Sequence, residues 1–491
     1  MQQISNLTLK NMTQYRNNTP ITLPLKKETE YKLKRKTMKK VFISACSFLC
    51  MTMVANAQTS ETPVNQDSVQ TEEETLQAPP EEPEKTPMEK LEDRTSEVES
   101  KVDKLSKLSI SGYIQAQYQY GQEYASPKVG NNTNETLGTD DEGGFGRFGV
   151  RRGRLKTQYK SGLTSATFEI DITEKGFATK NAYFNIKDPW LKTCAFQAGI
   201  FDRPFGYELG YSSNQRESPE YSAVCQTIFP DEKDLGAMLI LAPSKESPLN
   251  FLKLNAGLFA GNGMKQDSKT LRDFIGKLTA SKNIGTDGSW ELGFSYYKGG
   301  VFQGNKNVYD MDGKAFTVDS SASNVGEYAK RQYFGLDGAL IFNTEAGQTK
   351  LMAEYLWGNQ PGTSGSSKSP NDAKNPAGDT YLRNFNGYYV MLVQDLGQTP
   401  FSLVAKYDSY DPNTDVDGDN VGKTDKQGSK ATNKADLSQS TFGAGLIWRA
   451  MSNVRLTAYY EVNSNETSKN VAGYDKDRKD NLFTLRMQYK F

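Results

Sequence analysis

The chain has 491 residues, 36% hydrophobic and 24% charged, with a formal net charge of zero and a mean hydropathy of −0.68. Past the first 57 residues no apolar run reaches the roughly 18 residues of a spanning helix, although a membrane β-barrel with alternating strands averages to this polarity. Histidine is absent, which removes Ser-His-Asp and Cys-His catalysis, histidine metal sites and histidine pH switching; no enzyme, cofactor or nucleic-acid partner is expected.

Residues 1–37 read as an upstream extension set by the choice of start codon. Residues 38–57, "MKKVFISACSFLCMTMVANA", have the order of a secretory signal peptide: Lys39 and Lys40, an apolar run from Val41 to Val54, then Ala55-Asn56-Ala57. Residues 58–87 are acidic, proline-rich and poor in apolar groups, and read as a disordered linker. The zero balance hides a division. Residues 1–57 hold 10 basic and 2 acidic groups, residues 58–104 hold 5 and 14, and the remainder is nearly neutral. Any electrostatic purpose therefore depends on where the charges point. Met88, Leu91, Thr95, Val98, Val102 and Leu105 recur at spacings of three and four, which predicts a short coiled-coil helix over 88–106 with Thr95 its weak point. Cys46 and Cys50 leave with the signal. Cys194 and Cys225 remain, and spacing alone does not decide whether they pair.

At Leu108 the period changes to two. Leu108, Ile110, Ile114, Tyr118 and Tyr120 share one face, and Ser109, Ser111, Gln115, Gln117 and Gln119 the other. The pattern recurs to the last residue in about sixteen segments, starting near 108, 146, 163, 179, 192, 234, 250, 270, 289, 328, 347, 383, 400, 435, 453 and 481. Short joints such as 161–162, 343–346 and 397–399 alternate with long polar ones at 122–145, 202–233, 299–327, 359–382, 410–434 and 464–480. Short turns at one end and long loops at the other are the layout of an outer-membrane barrel. The expected fold is all-β: an antiparallel transmembrane β-barrel of about sixteen strands over 108–491. Its apolar face meets outer-membrane lipid. The final strand ends on Phe491, which reads as the assembly signal for the barrel-assembly machinery.

Charge on the lipid face costs a few kcal/mol at mid-depth, so charged positions belong in the lumen. In "GRFGVRRGRLKTQY" that parity turns Arg152, Arg154 and Lys156 inward. Phe148 and Val150 break the frame, which predicts a bulge near Val150–Arg151 that brings Arg151 inward too. Other strands add Lys253, Lys277, Arg331, Lys350, Lys406, Arg449, Arg455, Arg486 and Lys490 to a basic lining expected to guide anions. The lumen acids at the same parity are Glu169, Asp171, Asp273, Glu291, Asp337, Glu354, Asp408 and Glu461. Residues 202–233 are too long for a closure turn and in parts too apolar for a floppy loop, so they are expected to fold into the channel as a constriction loop. Arg203 and Arg216 are among its basic members, and Tyr207, Tyr211 and Tyr221 line the throat. Its acids, among them Glu208, Glu217, Glu220 and Glu232, dilute that charge. Asp411, Asn413, Asp415 and Asp417 present alternate oxygen ligands that would suit Ca²⁺, but without the glycine and glutamate of an EF-hand they rank below a solvated loop, and no metal is expected.

"FGVRRGRLKTQY", "AGIFDRPFG" and the aromatic terminus resemble the phosphate-selective porin O and P family of Gram-negative outer membranes, over most of residues 108–491. The resemblance implies a sixteen-stranded, trimeric porin in which Arg151, Arg152 and Arg154 match the arginines after the first external loop. By it, Arg203, Phe205 and Gly206 begin the constriction loop, and the heptad segment suits a homotrimer. The expected function is passive diffusion of small hydrophilic solutes with anions such as phosphate favoured. The competing expectation is a surface-exposed binding or adhesion barrel without a selective channel.

Overall fold

A computed structural model describes residues 86–131, 143–267, 270–370, 378–424 and 427–491. The upstream extension, the signal peptide and all but the last two linker residues lie outside the described residues. Helix α1 spans Pro87–Ser106 and is followed by β1 (Leu108–Gly121), β2 (Phe145–Ser161), β3 (Thr164–Thr173), β4 (Gly176–Lys187) and β5 (Cys194–Asp202). After a one-and-a-half-turn helix α2 (Ala223–Ile228) come β6 (Lys233–Leu241), β7 (Leu252–Phe259), β8 (Asp273–Ile284) and β9 (Gly288–Phe302). The short β10 (Val308–Asp312) and β11 (Ala315–Asp319) precede β12 (Tyr328–Thr344), β13 (Gly347–Gly362), β14 (Thr380–Asp395) and β15 (Phe401–Asp411). The two-residue β16 (Lys430–Ala431), then β17 (Gln439–Met451), β18 (Val454–Asn465) and β19 (Leu482–Lys490) complete the chain.

Without β10, β11 and β16, which belong to the loops, sixteen strands pair antiparallel in chain order, and β1 pairs with β19 to close the barrel. Closure leaves no open edge, as a structure in hydrocarbon requires. Phe491 completes the seam: its N–H and carbonyl exchange 3.0 Å hydrogen bonds with Gly112. Its ring lies where a Cβ on Gly112 would collide, so the glycine makes room for the terminal aromatic on the lipid face.

The parity read from the sequence holds along the wall. Phe148, Phe168, Phe177 and Leu292 are exposed on the outer face, whereas Gln115, Gln117 and Gln119 are buried inside. The pairing of β1 with β2 shifts between Gln115 and Ala116, opposite Arg152 and Val150, so Arg151 is the extra residue of a bulge. Most joints at one end are short, as at 162–163, 285–287 and 345–346, the longest being 242–251 between β6 and β7; at the other end most are long, the exception being 174–175 between β3 and β4. These ends are called the turn side and the loop side below. On the loop side the long joints are tied together: β10 pairs with β11 and β14, β11 pairs with β16, and Val416, Val421 and Leu437 form a small apolar cluster.

Helix α1 begins with a capping box, in which the Thr86 side chain accepts from Glu89 N–H and the Glu89 side chain accepts from Thr86 N–H. It buries none of its residues: Met88, Leu91, Val98, Val102 and Leu105 are all exposed, a seam with no partner among the described residues.

Candidate functional site

The joint between β5 and β6 enters the lumen and crosses it. Half of what holds it there is apolar. Phe205, Leu209, Val224, Ile228 and Phe229 of the loop pack against Tyr297, Tyr333, Leu356, Phe385 and Tyr410, which the walls turn inward. Phe229 meets the Tyr333 ring edge-on at 5.7 Å. A loop carrying this much apolar surface would be costly in water, and the lumen supplies it with a core.

Polar latches then fix the loop to the wall around the circumference. The Glu354 carboxylate on β13 accepts from Tyr207 N–H at 3.2 Å and Glu208 N–H at 2.9 Å. Gly206, at a φ of +61°, donates its N–H to Ser295 Oγ (2.9 Å), and its carbonyl accepts from Lys277 Nζ (2.7 Å). A Cβ at that glycine would run into the Glu354 carboxylate, so the turn requires glycine twice over. Glu208 pairs with Lys406 at 2.6 Å and also accepts from Ser222, while Ala223 N–H donates to Asp408 at 2.9 Å. On the opposite wall the Ser213 carbonyl accepts from Gln115 at 3.0 Å.

Glu220 is the strongest latch. Arg151 approaches it as a two-pronged fork at 2.8 and 2.7 Å, Arg486 pairs at 2.9 Å and Arg152 at 3.5 Å. Three guanidinium groups from β2 and β19 thus share one carboxylate that is itself 6% exposed. Arg154 is met by Glu169 (3.0 Å), Asp171 (3.3 Å) and Glu232 (3.2 Å). Burial alone would push the Glu220 and Glu232 carboxyls up, yet the cations around them hold both below the ordinary carboxylate range: Arg151, Arg152 and Arg486 for Glu220; Lys180, Arg154 and Lys233 for Glu232.

The other expected site residues differ in what they meet. Arg203 pairs with Asp234 at 3.2 Å, Lys277 with Asp337 at 2.9 Å and Arg331 with Asp273 at 3.0 Å, all buried. Arg216 is buried with its guanidinium 3.5 Å over the Tyr221 ring, and donates to the Tyr211 carbonyl at 3.3 Å. Lys156 is half-buried opposite Glu169. Lys253 borders a water-accessible cavity of about 640 Å³ together with Phe205, Gly206 and Lys277. Lys350, Arg449, Arg455 and Lys490 gather around a different cavity, described next. Asp411, Asn413 and Asp415 point to protein donors and acceptors: Asp411 accepts from Asn413 N–H, the Asn413 amide donates to Asp436 at 2.9 Å, and Asp415 accepts from Asn384 at 2.9 Å. Among the described residues no cluster of three acidic or cysteine side chains is arranged to hold a metal, Asp417 included. Cys194 and Cys225 are not joined by a disulfide.

The loop separates two chambers. On the turn side Tyr207, Tyr211 and Glu217 face a cavity of about 600 Å³ into which the walls send Lys350, Arg449, Arg455 and Lys490. Lys350 pairs with Glu217 at 3.1 Å, and Tyr211 Oη donates to the same carboxylate. Among the described residues Arg455 donates to neutral acceptors, the Gln215 and Arg216 carbonyls and the Gln488 amide. On the loop side Glu220, Tyr221 and Ala223 form the floor of a cavity of about 540 Å³ lined by hydroxyls, amides and charges of both signs.

Sequence reasoning places the arginines and Lys277 in the lumen together with their wall partners Glu169, Asp171, Asp273 and Asp337, but not the partners that the loop supplies. Glu208, Glu220 and Glu232 were read as diluting the loop's charge; they are its anchors. Arg383 was missed: buried on β14, it pairs with Asp436 at 2.7 Å and fixes the loop-side joints. Its inward parity on "TYLRNFNGYYV" was the available signal.

A closed barrel of sixteen antiparallel strands, narrowed by the joint after its fifth strand and carrying its charge inside, defines an outer-membrane porin of Gram-negative type. The chain belongs to the phosphate-selective porin O and P family, whose model matches residues 138–491. Among solved structures it is similar to OprB of Pseudomonas putida, at 10% identity over 81% of this chain and 97% of that one, with a TM-score of 0.50. It is also similar to the outer-membrane channel DcaP of Acinetobacter baumannii, at 13% identity over 78% and 97%, TM-score 0.46. An anion-selective porin from Comamonas acidovorans matches at 11% identity over 78% and 99%, TM-score 0.43. At such identities the likeness is one of fold. A search of curated protein sequences finds no match.

Proposed function

We propose that this porin passes small hydrophilic solutes by diffusion and favours anions, phosphate among them, and that the preference arises in the turn-side chamber rather than at the arginine cluster. One observation carries the reading. Lys350, Arg449, Arg455 and Lys490 line that chamber; Lys350 pairs with Glu217 and Arg449 with Asp395 at 3.3 Å, which leaves Arg455 and Lys490 with no carboxylate at ion-pair distance among the described residues. Arg151, Arg152 and Arg154 already face carboxylates, so their charge is largely cancelled within the wall. Fixed positive charge in a narrow aqueous space of low surrounding dielectric concentrates anions and repels cations. The test is the reversal potential of reconstituted channels in a salt gradient, with Arg455→Gln and Lys490→Gln combined. The variant should lose most of the anion preference while the barrel stays assembled. An unchanged reversal potential would move the selectivity elsewhere.

The exposed α1 seam supports a homotrimer, because three tethered copies can cover apolar side chains that one copy leaves in water. Phe491 serves the barrel-assembly machinery as well as the β1–β19 seam. The interlocked loop-side joints favour a second reading, a surface-exposed binding barrel. A conductance trace separates the two, since an adhesive barrel shows no stable open channel.

A further inference from the structure

The loop-side chamber differs from the basic turn-side chamber in kind. Its floor carboxylate, Glu220, is already met by three guanidinium groups and offers little free charge. Six other charged groups do face the space. Lys128, Lys368 and Lys434 line it from the joints, and Glu461 from β18. Among the described residues none of these four makes an ion pair, with one another or with anything else. Asp408 of β15 joins Glu461, accepting from Ala223 N–H through one oxygen, and Asp480 of the last joint lines the same space, one oxygen accepting from the Asn465 amide and the other without a partner among the described residues.

Charged side chains of both signs that line one cavity yet stay apart are unusual. Partners free to meet in water gain little by meeting, but within a confined chamber of lowered dielectric they attract strongly. The backbone holds these apart. The carboxylates of Asp408 and Glu461 sit on the strand wall, three residues before the end of β15 and four before the end of β18, roughly 10 Å below the rim at about 3.3 Å per residue. The lysines belong to the joints above. Asp480 belongs to a joint as well, and Lys128 is tied to Gln119 of β1 through its N–H, so charges of both signs are interspersed around one space. Around it Ser440, Ser464 and Gln439 offer neutral hydrogen-bonding groups.

We infer that this loop-side chamber is a recognition site for zwitterionic solutes, amino acids and short peptides. The solute carboxylate lies toward Lys128, Lys368 and Lys434, and its ammonium toward Glu461 and Asp408. A free anion or a free cation meets like charges as well as opposite ones there. A zwitterion satisfies both ends at once. The chamber then feeds such solutes to the constriction. The inference rests on the reading of the protein as a diffusion channel.

The experiment is swelling of liposomes that carry the full-length protein, in isotonic diglycine, arabinose or gluconate. Diglycine should enter about fivefold faster than arabinose, the factor of one water-screened ion pair at contact distance, and faster than gluconate. Glu461→Gln and, separately, Lys368→Met on a loop-side joint should each bring the diglycine rate toward that of arabinose without slowing arabinose. Equal rates for diglycine and arabinose in the unaltered protein, or a diglycine advantage that survives both substitutions, would overturn the inference and leave the channel reading standing. Entry of none of the three solutes would overturn the channel reading and this inference with it.

Discussion

Replacing Glu220 by Gln removes one charge and unsettles three. The carboxylate receives Arg151 through two bonds at 2.8 and 2.7 Å, Arg486 at 2.9 Å and Arg152 at 3.5 Å, with Glu220 only 6% exposed. Removing one partner of a buried ion pair costs about 3–5 kcal/mol, because the other charge stays behind uncompensated. Here three guanidinium groups stay behind, and they repel one another. At about 1.4 kcal/mol per tenfold, that cost raises the population of loops detached from the β2–β19 wall by roughly two to three and a half decades. The apolar packing of Phe205 and Phe229 and the Glu208–Lys406 pair still hold the far side. The barrel therefore remains, and only the near half of the loop swings. In planar bilayers the Glu220→Gln channel should flicker, conduct more, and shift further toward anions as the arginines come to face water. Heat-modifiability on gels checks that the barrel is intact. Quiet traces with unchanged conductance and selectivity would refute the claim that Glu220 latches the loop.

Three more expectations follow from the same structure. Glu208, Glu220 and Glu232 are carboxyls held below their ordinary range by Lys406, by Arg151 and Arg152, and by Lys180 and Arg154, against the upward push of burial. Their contribution is thus fully present above the ordinary carboxylate pKa of about 4.3 and is lost only as pH falls through the lowered values; channel noise should stay flat from neutral pH to that point and rise only in stronger acid. Deleting residues 88–105 should shift crosslinked protein from trimer toward monomer while leaving the heat-stable barrel. Deleting Phe491 removes both backbone hydrogen bonds to Gly112 and the ring that covers it, and should lower assembled protein in the outer membrane far more than synthesis.

Most of the wall was legible in the sequence because the lipid imposes a strict rule. One face must be apolar at every second position, and a change of parity such as Phe148–Val150 can only be a bulge. The shift opposite Gln115 and Ala116 puts Arg151 where that break places it. The joint lengths were legible for the same reason, since they alternate about the membrane. The constriction loop obeys no such period. Its partners lie far along the chain, Arg486 being 266 residues from Glu220 and Asp408 185 from Ala223, and no local pattern records them. The inward-facing Tyr297, Tyr333 and Phe385 were the overlooked clue, because bulky apolar side chains at lumen positions need something apolar to pack against. Parity puts Glu169 and Asp171 on the same face as Arg154, but the loop carboxylates Glu220 and Glu232 that meet Arg151, Arg152 and Arg154 were out of reach, since parity tells which way a side chain points and not what a loop brings there.

The central claim is that this channel prefers anions because of basic groups around the turn-side chamber. It is tested most directly by the reversal potential of the unaltered, full-length protein in a planar bilayer separating two concentrations of potassium chloride. The account predicts a potential of the sign set by chloride, reduced when phosphate competes on the turn side. A potential of the sign set by potassium, or none, would contradict it.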